Sequence, residues 1–309
     1  MAGSLNYSNL YAGGAGVRLA SMIMNEVNTL LADPTNLAMY EGISNLGSID
    51  GMGSDTLSAR YVDMGFGDVF GATADGVEVA ASDITPSRVN IAVARYALRY
   101  DLTSLAQLSG FGGDLDPFAI AQLMLQSATA TMSQLIATEF QNITATVGTP
   151  SVDLSVDDIL DAIFDLESDS NDSFSCILHS VQFADFRQSL RSESNNALGF
   201  NEATYEMMKA KAAGYAGSWG GVEFYKSNRV TESGGDKVGA MLGSNAIGFL
   251  LGSAQNTQLS DGRIAVAGTP AIVEFNRNAS FDRTEIVGNM YAGVATLEQT
   301  RAVKIVTDA

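Results

Sequence analysis

Chemistry in this sequence would have to run through very few residues. The only histidine is His179 and the only cysteine is Cys176. A serine or cysteine nucleophile needs a base beside it, and Ser180 and Cys176 lie near His179 in sequence. These residues end an apolar run, Phe174 to Leu178, that reads as a buried strand. On a strand, residues one and three apart from His179 point to the opposite face, so the geometry is poor for catalysis. The pattern predicts a hydrogen-bonded structural histidine, and Cys176, unable to form an intrachain disulfide, is expected to be a small buried hydrophobe. One histidine and one cysteine also exclude a conventional zinc site.

Carboxylates are abundant, with 35 acidic residues against 17 lysines and arginines. Asp153, Asp157, Asp158, Asp161 and Asp165 have the residue type of an acid pair for hydrolysis, but their spacing fits the solvated face of a short helix. Asp169, Asn171 and Ser173 begin the alternation of a calcium loop without completing it. Gly14-Ala15-Gly16 precedes a helical pattern, yet no strand leads into it and the spacing departs from the dinucleotide fingerprint. A phosphate-binding loop is absent. No catalytic residue, cofactor or metal is therefore expected. Asn142-Ile143-Thr144 and Asn278-Ala279-Ser280 match a glycosylation sequon, which reads as chance because no basic stretch followed by an apolar core opens the chain.

Composition bounds the rest. A chain of 309 residues with 46% hydrophobic content allows two domains or one elaborated domain with a real core. A net charge of −18 and a pI near 4.2 argue against gripping nucleic acid by its phosphates, which requires a basic face. The longest apolar tract, Ala240 to Leu251, is interrupted by Gly243, Ser244, Asn245 and Gly248 and is too short to span a bilayer. A soluble, cytoplasmic product is expected. Every lysine lies from Lys209 onward, so Arg18, Arg60, Arg88, Arg95 and Arg99 supply the positive charge of an otherwise acidic first half. Arginine suits bidentate pairing with carboxylates across contacts, and Arg60, Arg88, Arg95 and Arg99 are the candidate subunit-contact residues.

The elements that would hold these residues centre on Asp116 to Gly148, which reads as one long helix. Asp116 is an N-cap, Pro117 occupies the first helical position, and Leu115 with Ile120 forms a hydrophobic staple. Phe118, Ala121, Leu125, Ala128, Met132, Ile136, Phe140, Ile143 and Val147 make one apolar stripe, with Gly148 and Pro150 as the stop. Some 30 residues would run roughly 45 Å, where an average helix has about 12 residues. The other face is polar but uncharged, and Glu139 is the only ionised residue between Phe118 and Gly148. A helix facing open water carries more charge, so both faces are expected to be covered.

Before that helix, residues 1–16 read as an extended arm, Val17 to Leu31 as an amphipathic helix, and residues 41–58 as a linker. Arg60 to Val69 and Val77 to Leu98 form two extended segments around a glycine-rich bend, with alternation at Val89, Ile91 and Val93. This hairpin has too few large apolar residues to stand alone in water, so it is expected to lie on a neighbour. A short helix is predicted over Leu102 to Leu108. After Pro150, Ser155 with Asp158 resembles a capping box opening a helix through Ile159, Leu160, Ile163 and Phe164. Further helices are predicted near Gln182 to Leu190, Glu202 to Ala213 and Ser244 to Gly252, and strands near Val222 to Val230, Val238 to Leu242, Ile272 to Phe275, Thr284 to Leu297 and Val303 to Val306. No repeat of solenoid length is present.

This order of parts resembles the major capsid proteins of tailed bacteriophages, the Hong Kong 97-like fold. Supporting stretches are Val222 to Arg229 with Lys226-Ser227-Asn228, Met241-Leu242-Gly243-Ser244-Asn245-Ala246-Ile247-Gly248, and Ala292-Gly293-Val294 onward to Val306. The resemblance implies an α+β chain with an N-arm over 1–58, an extended E-loop hairpin over 59–98, and a peripheral domain over 99–150 whose spine helix is 116–147. It places a mixed α/β axial domain over 151–265 and closing peripheral-domain strands over 266–309.

By the same resemblance the chain is a structural protein and not an enzyme. It would self-assemble as hexamers and pentamers into an icosahedral head enclosing double-stranded DNA without sequence-specific contact. Assembly in the host cytoplasm and residence in the virion are implied, with separate scaffolding, portal and cement proteins as partners and no membrane. The namesake phage cross-links an E-loop lysine to an asparagine on a neighbour; residues 59–98 contain no lysine, so that bond is not expected here. The scaffolding segment that some members carry at the N-terminus finds no room in this chain, which implies a separate scaffold or a trimmed sequence. Two rivals remain open: an encapsulin-type nanocompartment with the same fold, and a hydrolase using acidic residues of the 151–265 lobe.

Overall fold

A computed structural model of the chain describes residues 42–48, 54–62, 86–103, 117–167, 173–192, 199–211, 214–252, 263–265 and 271–308. The N-terminal arm and helix expected before residue 42, the glycine-rich bend at 63–85, the cap at Asp116 and the loop at 168–172 lie outside the described residues.

The first strands are β1 (Ile43–Ser48), β2 (Thr56–Val62), β3 (Pro86–Ala92) and β4 (Ala94–Thr103). β2 and β3 pair antiparallel as a separate two-stranded ribbon, from Thr56 opposite Ala92 to Val62 opposite Pro86. The hairpin expected from Arg60 to Leu98 is shorter: the described ribbon covers 56–62 and 86–92, Ala94 to Leu98 leave it for β4 beside β15, and the ribbon shares no sheet with other described strands. Ile91 is buried while Val89 and Val93 are half-buried, which follows the alternation seen in the sequence. β4 runs through Leu102 and Thr103, where a helix was predicted, because it pairs along its whole length with β15 (Arg283–Thr296). Long-range pairing overrides local helix preference here.

The long helix spans Pro117–Glu139 and closes with a 3-10 turn at Phe140–Asn142. It does not reach Gly148. Ile143 adopts extended backbone, and Ala145–Val147 forms β5, paired parallel with β16 (Ala302–Asp308). Thr144, Thr146 and Val147 are β-branched and favour that strand. On the helix, Ile120, Met124, Met132, Ile136 and Ala137 are buried. Gln126, Gln134 and Thr138 are exposed, whereas Ser127, Thr129 and Thr131 are half-buried and Ser133 is buried, so the helix's polar side is only partly covered within one chain. Thr131 and Thr138 turn their hydroxyls back to the carbonyls of Ser127 and Gln134, which satisfies them without an outside partner.

Next come the helix Val156–Glu167, β6 (Phe174–Leu178), the helix Ser180–Ser192, β7 (Asn201–Glu202), the helix Tyr205–Ala210, β8 (Tyr215–Trp219) and β9 (Val222–Lys226). The capping box is realised: Asp158 Oδ2 accepts from the amide of Ser155 at 2.9 Å and from its hydroxyl at 2.6 Å, while the Asp158 amide donates to Ser155 Oγ at 3.2 Å. The helix predicted from Glu202 is shorter, starting after Thr204, whose side chain accepts from the Met207 amide.

The chain ends with β10 (Glu232–Ser233), β11 (Asp236–Leu242), β12 (Ile247–Gly252), β13 (Arg263–Ala265), β14 (Ala271–Asn278), β15 and β16. The helix predicted over Ser244 to Gly252 is instead a turn followed by β12, held between β1 and β15. A short apolar run reads equally as buried strand or helix, and burial on both faces selected the strand.

Two sheets result. The six-stranded sheet runs β1-β12-β15-β14-β13, with β4 also along β15. The eight-stranded sheet runs β5-β16-β11-β6-β9-β8-β7, with β10 on β11. The chain passes between them repeatedly, so β12 joins the six-stranded sheet and β16 the eight-stranded one. One core, including Ile136, Phe140, Ile177, Tyr225, Leu242, Phe249 and Met290, lies between the sheets and under the long helix. A second, including Ile159, Ile163, Phe186, Trp219, Phe224 and Ile305, fills the other face of the eight-stranded sheet beneath its two helices.

Candidate functional site

Cys176, His179 and Ser180 do not face one another as nucleophile and base. Cys176 is fully buried on β6, and burial pushes its thiol far above the ordinary range, so no thiolate forms at neutral pH. His179 follows β6 directly, and its Nδ1 accepts from the Val181 amide at 3.3 Å. Burial, and then the nearby Lys237 charge, hold its pKa below the usual value, with Glu232 opposing. The Ser180 hydroxyl is bonded to Asn228. The histidine is therefore a local cap and not a base facing a nucleophile. Among the described residues no group of three or more histidines, cysteines and carboxylates could hold a metal ion. Asp157, Asp161 and Asp165 lie on the exposed side of their helix, and Asp158 serves the capping box.

The arginines fall into two settings. Arg60 lies directly opposite Arg88 in the β2–β3 ribbon, and Arg88 is exposed. Arg95 and Arg99 are on β4 with partners inside the chain. Arg95 donates from Nε and Nη2 to Asn289 Oδ1, at 2.9 and 2.6 Å. Arg99 pairs with Asp101 at 2.7 Å and Glu285 at 3.1 Å, and Arg283 reaches the same two carboxylates at 3.1 and 3.0 Å. The hydrogen bond from Arg99 lowers the Asp101 pKa; that from Asn278, followed by that from Arg283, lowers the Glu285 pKa. The sequence suggested outward contacts for Arg95 and Arg99, whereas their first partners are on β4 and β15. No local signal announces Asn289, which lies 194 residues from Arg95.

A cleft of about 380 Å³ opens between the long helix and β4–β15, lined by Tyr96, Leu98, Met124, Thr131, Asn289 and Met290. Exposed large apolar side chains group in two short stretches, Leu160 with Phe164 and Tyr205 with Met207 and Met208, while Tyr100, Leu123, Val152, Val181 and Phe281 are exposed singly. Of the four apolar residues through which the helix Val156–Glu167 was expected to run, Ile159 and Ile163 are buried and Leu160 and Phe164 face outward. Among the described residues no helix is long and apolar enough to cross a membrane.

Similarity to known proteins lies in the shape of the chain. A holo-SrpI encapsulin complex from Synechococcus elongatus PCC 7942 superposes with a TM-score of 0.59 at 13% identity, covering 89% of this chain and 87% of that one. The capsid of Ralstonia phage GP4 superposes at 0.56 with 10% identity, over 86% and 87% of the two chains. The capsid of a native GTA particle gives 0.55 at 9% identity, over 90% and 91%. The chain has the Hong Kong 97-like capsid fold. No protein-family model and no curated sequence matches this Hong Kong 97-like chain, so the likeness resides in element order and sheet topology. The α+β class expected from the sequence is the one observed.

Proposed function

We propose that the chain is the major capsid protein of a phage head, a structural subunit that self-assembles into an icosahedral shell around double-stranded DNA. The observation that carries this reading is the extent of the likeness: shell subunits match 86% or more of this chain and comparable shares of their own. The β2–β3 ribbon suits such a role. A two-stranded ribbon is at best marginal alone in water; this one is anchored to its own chain where Ile91 and Ala92 meet Gly293 of β15, and the rest of it gains by lying on a neighbouring copy. Many small contacts of this kind sum by multivalency into a closed shell.

In this reading the segments 1–58 and 59–98 are the arm and loop that reach neighbours, 99–150 and 266–309 supply the peripheral part, and 151–265 the axial part. Arg60 and Arg88 then meet carboxylates of an adjacent copy. A net charge of −18 repels packaged DNA and leaves it mobile, without base-specific contact. Scaffolding, portal and cement proteins are its partners, and the shell is built in the host cytoplasm. The encapsulin reading is the second one, supported by the likeness to SrpI.

Electron microscopy and sedimentation of the expressed chain test the proposal. Closed particles are expected, and a content monomer at micromolar concentration overturns it. Nucleic acid inside particles isolated from the native source fits the phage head; enzyme cargo fits the encapsulin.

A further inference from the structure

The helix Ser180–Ser192 starts right after β6, and its first turn is closed by an ionisable side chain. His179 stands at the N-cap position. Its carbonyl accepts the first helical bond, from the Phe183 amide at 3.0 Å, and its Nδ1 accepts from the Val181 amide at 3.3 Å. Serine, threonine, asparagine or aspartate usually offers an oxygen to an orphan amide at that place. A histidine can do so only while Nδ1 keeps its lone pair, so this cap requires the neutral ring with its proton on Nε2.

The capped turn is a junction between strands. The side-chain amide of Gln182, fully buried, accepts from the His179 amide at 3.1 Å and donates to the Lys237 carbonyl of β11 at 3.0 Å and to the Thr307 hydroxyl of β16 at 2.8 Å. On the other side the Ser180 hydroxyl bonds to Asn228, and the Ser227 amide donates to the Leu178 carbonyl at 2.9 Å. One turn of helix thus joins β6, β11, β16 and the segment that leaves β9.

The charges around the ring decide what acid does to it. From β11 comes Lys237, whose carbonyl shares the Gln182 amide with His179, and from β10 comes Glu232, paired with Lys237 at 2.7 Å. Asp236, the neighbour of Lys237, accepts from the Ser151 amide at 2.8 Å. Lys226, set over the Phe183 ring, and Arg229 flank Asn228 on the β9 side. Asp185 lies farther along the helix, within the influence of Asp153 and Asp308. Burial, and then Lys237, oppose a proton on the half-buried His179, and Glu232 offsets them only in part. A cation here would also stand against the positive end of the helix.

We infer that His179 is an acid-sensitive cap that holds this junction when neutral and loosens it when protonated. A proton taken from solvent onto Nδ1 consumes the lone pair that receives the Val181 amide, and leaves two N–H groups facing each other near Lys237. The unfolded chain binds that proton more readily than the folded one. Stability from the cap is therefore full above the ordinary histidine value, near pH 6.5, and declines as pH falls from there through the lowered value. Asp185 acts in the opposite sense, because its raised pKa makes the folded chain the better proton acceptor. The device belongs to the single subunit and stands apart from the shell reading.

His179 is the only histidine in the chain, so its ring signals in a heteronuclear NMR spectrum of the unassembled full chain need no assignment by mutation. At about pH 8 the ring nitrogens should show the Nε2-protonated tautomer, and the titration midpoint should lie below that of the same chain unfolded in urea. The Nδ1-protonated tautomer, or a midpoint at or above the unfolded one, overturns the inference. His179→Asn separates the cap from the proton, since its Oδ1 can accept from the Val181 amide and does not titrate. Between about pH 8 and about pH 5, urea denaturation should show the parent's folding constant falling relative to that of His179→Asn, by up to roughly tenfold for each unit by which the NMR midpoint is lowered. His179→Ala, which has no cap at any pH, should be less stable than His179→Asn at about pH 8. Parallel pH profiles for the parent and His179→Asn, or equal stability of the two variants, overturn the inference; should neither variant fold, the NMR midpoint and tautomer decide.

Discussion

The carboxylate of Glu139, in the last turn of the long helix, accepts hydrogen bonds from both the amide and the hydroxyl of Thr296 at the end of β15, at 2.8 and 3.0 Å. Its second oxygen accepts from Asn142 Nδ2 at 2.8 Å. A negative charge at a helix C-terminus works against the macrodipole, so this residue is retained for what it binds. It is the sole ion on the helix, and it fastens helix to sheet across 157 residues of chain.

Replacing Glu139 by alanine leaves the Thr296 amide without this acceptor. A loss of about 1–3 kcal/mol is expected, from the usual cost of orphaning such a group. Urea denaturation of the unassembled subunit measures it, and a change within the fitting error would mean that water replaces the carboxylate.

The β2–β3 ribbon is seated by a close backbone approach. A Cβ at Gly293 on β15 would stand 2.5 Å from the Ala92 carbonyl oxygen at the end of β3. Gly293→Ala is therefore expected to cost about 1–3 kcal/mol by overpacking and to speed amide exchange over residues 86–94. At Gly288 the nearest atom is the Met124 sulfur at 3.2 Å, on a side chain that can move, so Gly288→Ala should be the milder change. Equal effects at the two positions would refute the seating.

Arg99, Arg283, Asp101 and Glu285 form a small charge network between β4 and β15. Both carboxylates have pKa values lowered on folding. Their contribution is therefore present above the ordinary carboxylate range, about pH 4, and lost as pH falls through the lowered values. The double variant Asp101→Asn, Glu285→Gln should be less stable than the parent at pH 7 and converge with it in acid. Added salt should narrow the gap at neutral pH through the exposed Arg99 and Asp101, and less through the half-buried Arg283 and Glu285. A pH-independent gap would assign the effect to packing.

Cys176 is predicted to resist thiol reagents in the folded subunit, since burial both hides the sulfur and raises its pKa. Ellman's reagent should label it only after unfolding. Prompt labelling of the native chain would show that β6 opens readily.

Local signals in the sequence carried the elements whose stability is itself local. Ser155 and Asp158 announced a helix start because a capping box closes within four residues, and both bonds are present. Phe174–Leu178 announced a strand buried on both faces because five consecutive residues there are closed to solvent. The long amphipathic stripe and the hairpin were legible for the same reason, and their order was enough to suggest the fold. No equally local signal marked a catalytic centre, and His179 and Cys176 prove to be in structural settings.

What the tertiary structure alone decided were the choices made between distant segments. Ile247–Gly252 became a strand because β1 and β15 cover it on either side, and Thr144 left the helix because β16 was there to pair with the following residues. Arg95 and Arg99 found Asn289 and Glu285 only when β4 paired with β15. Leu160 and Phe164 follow helical spacing, yet spacing does not tell which side of a helix the sheet will occupy. Periodicity is a property of neighbours along the chain, whereas register and coverage depend on contacts whose sequence separation no local pattern records.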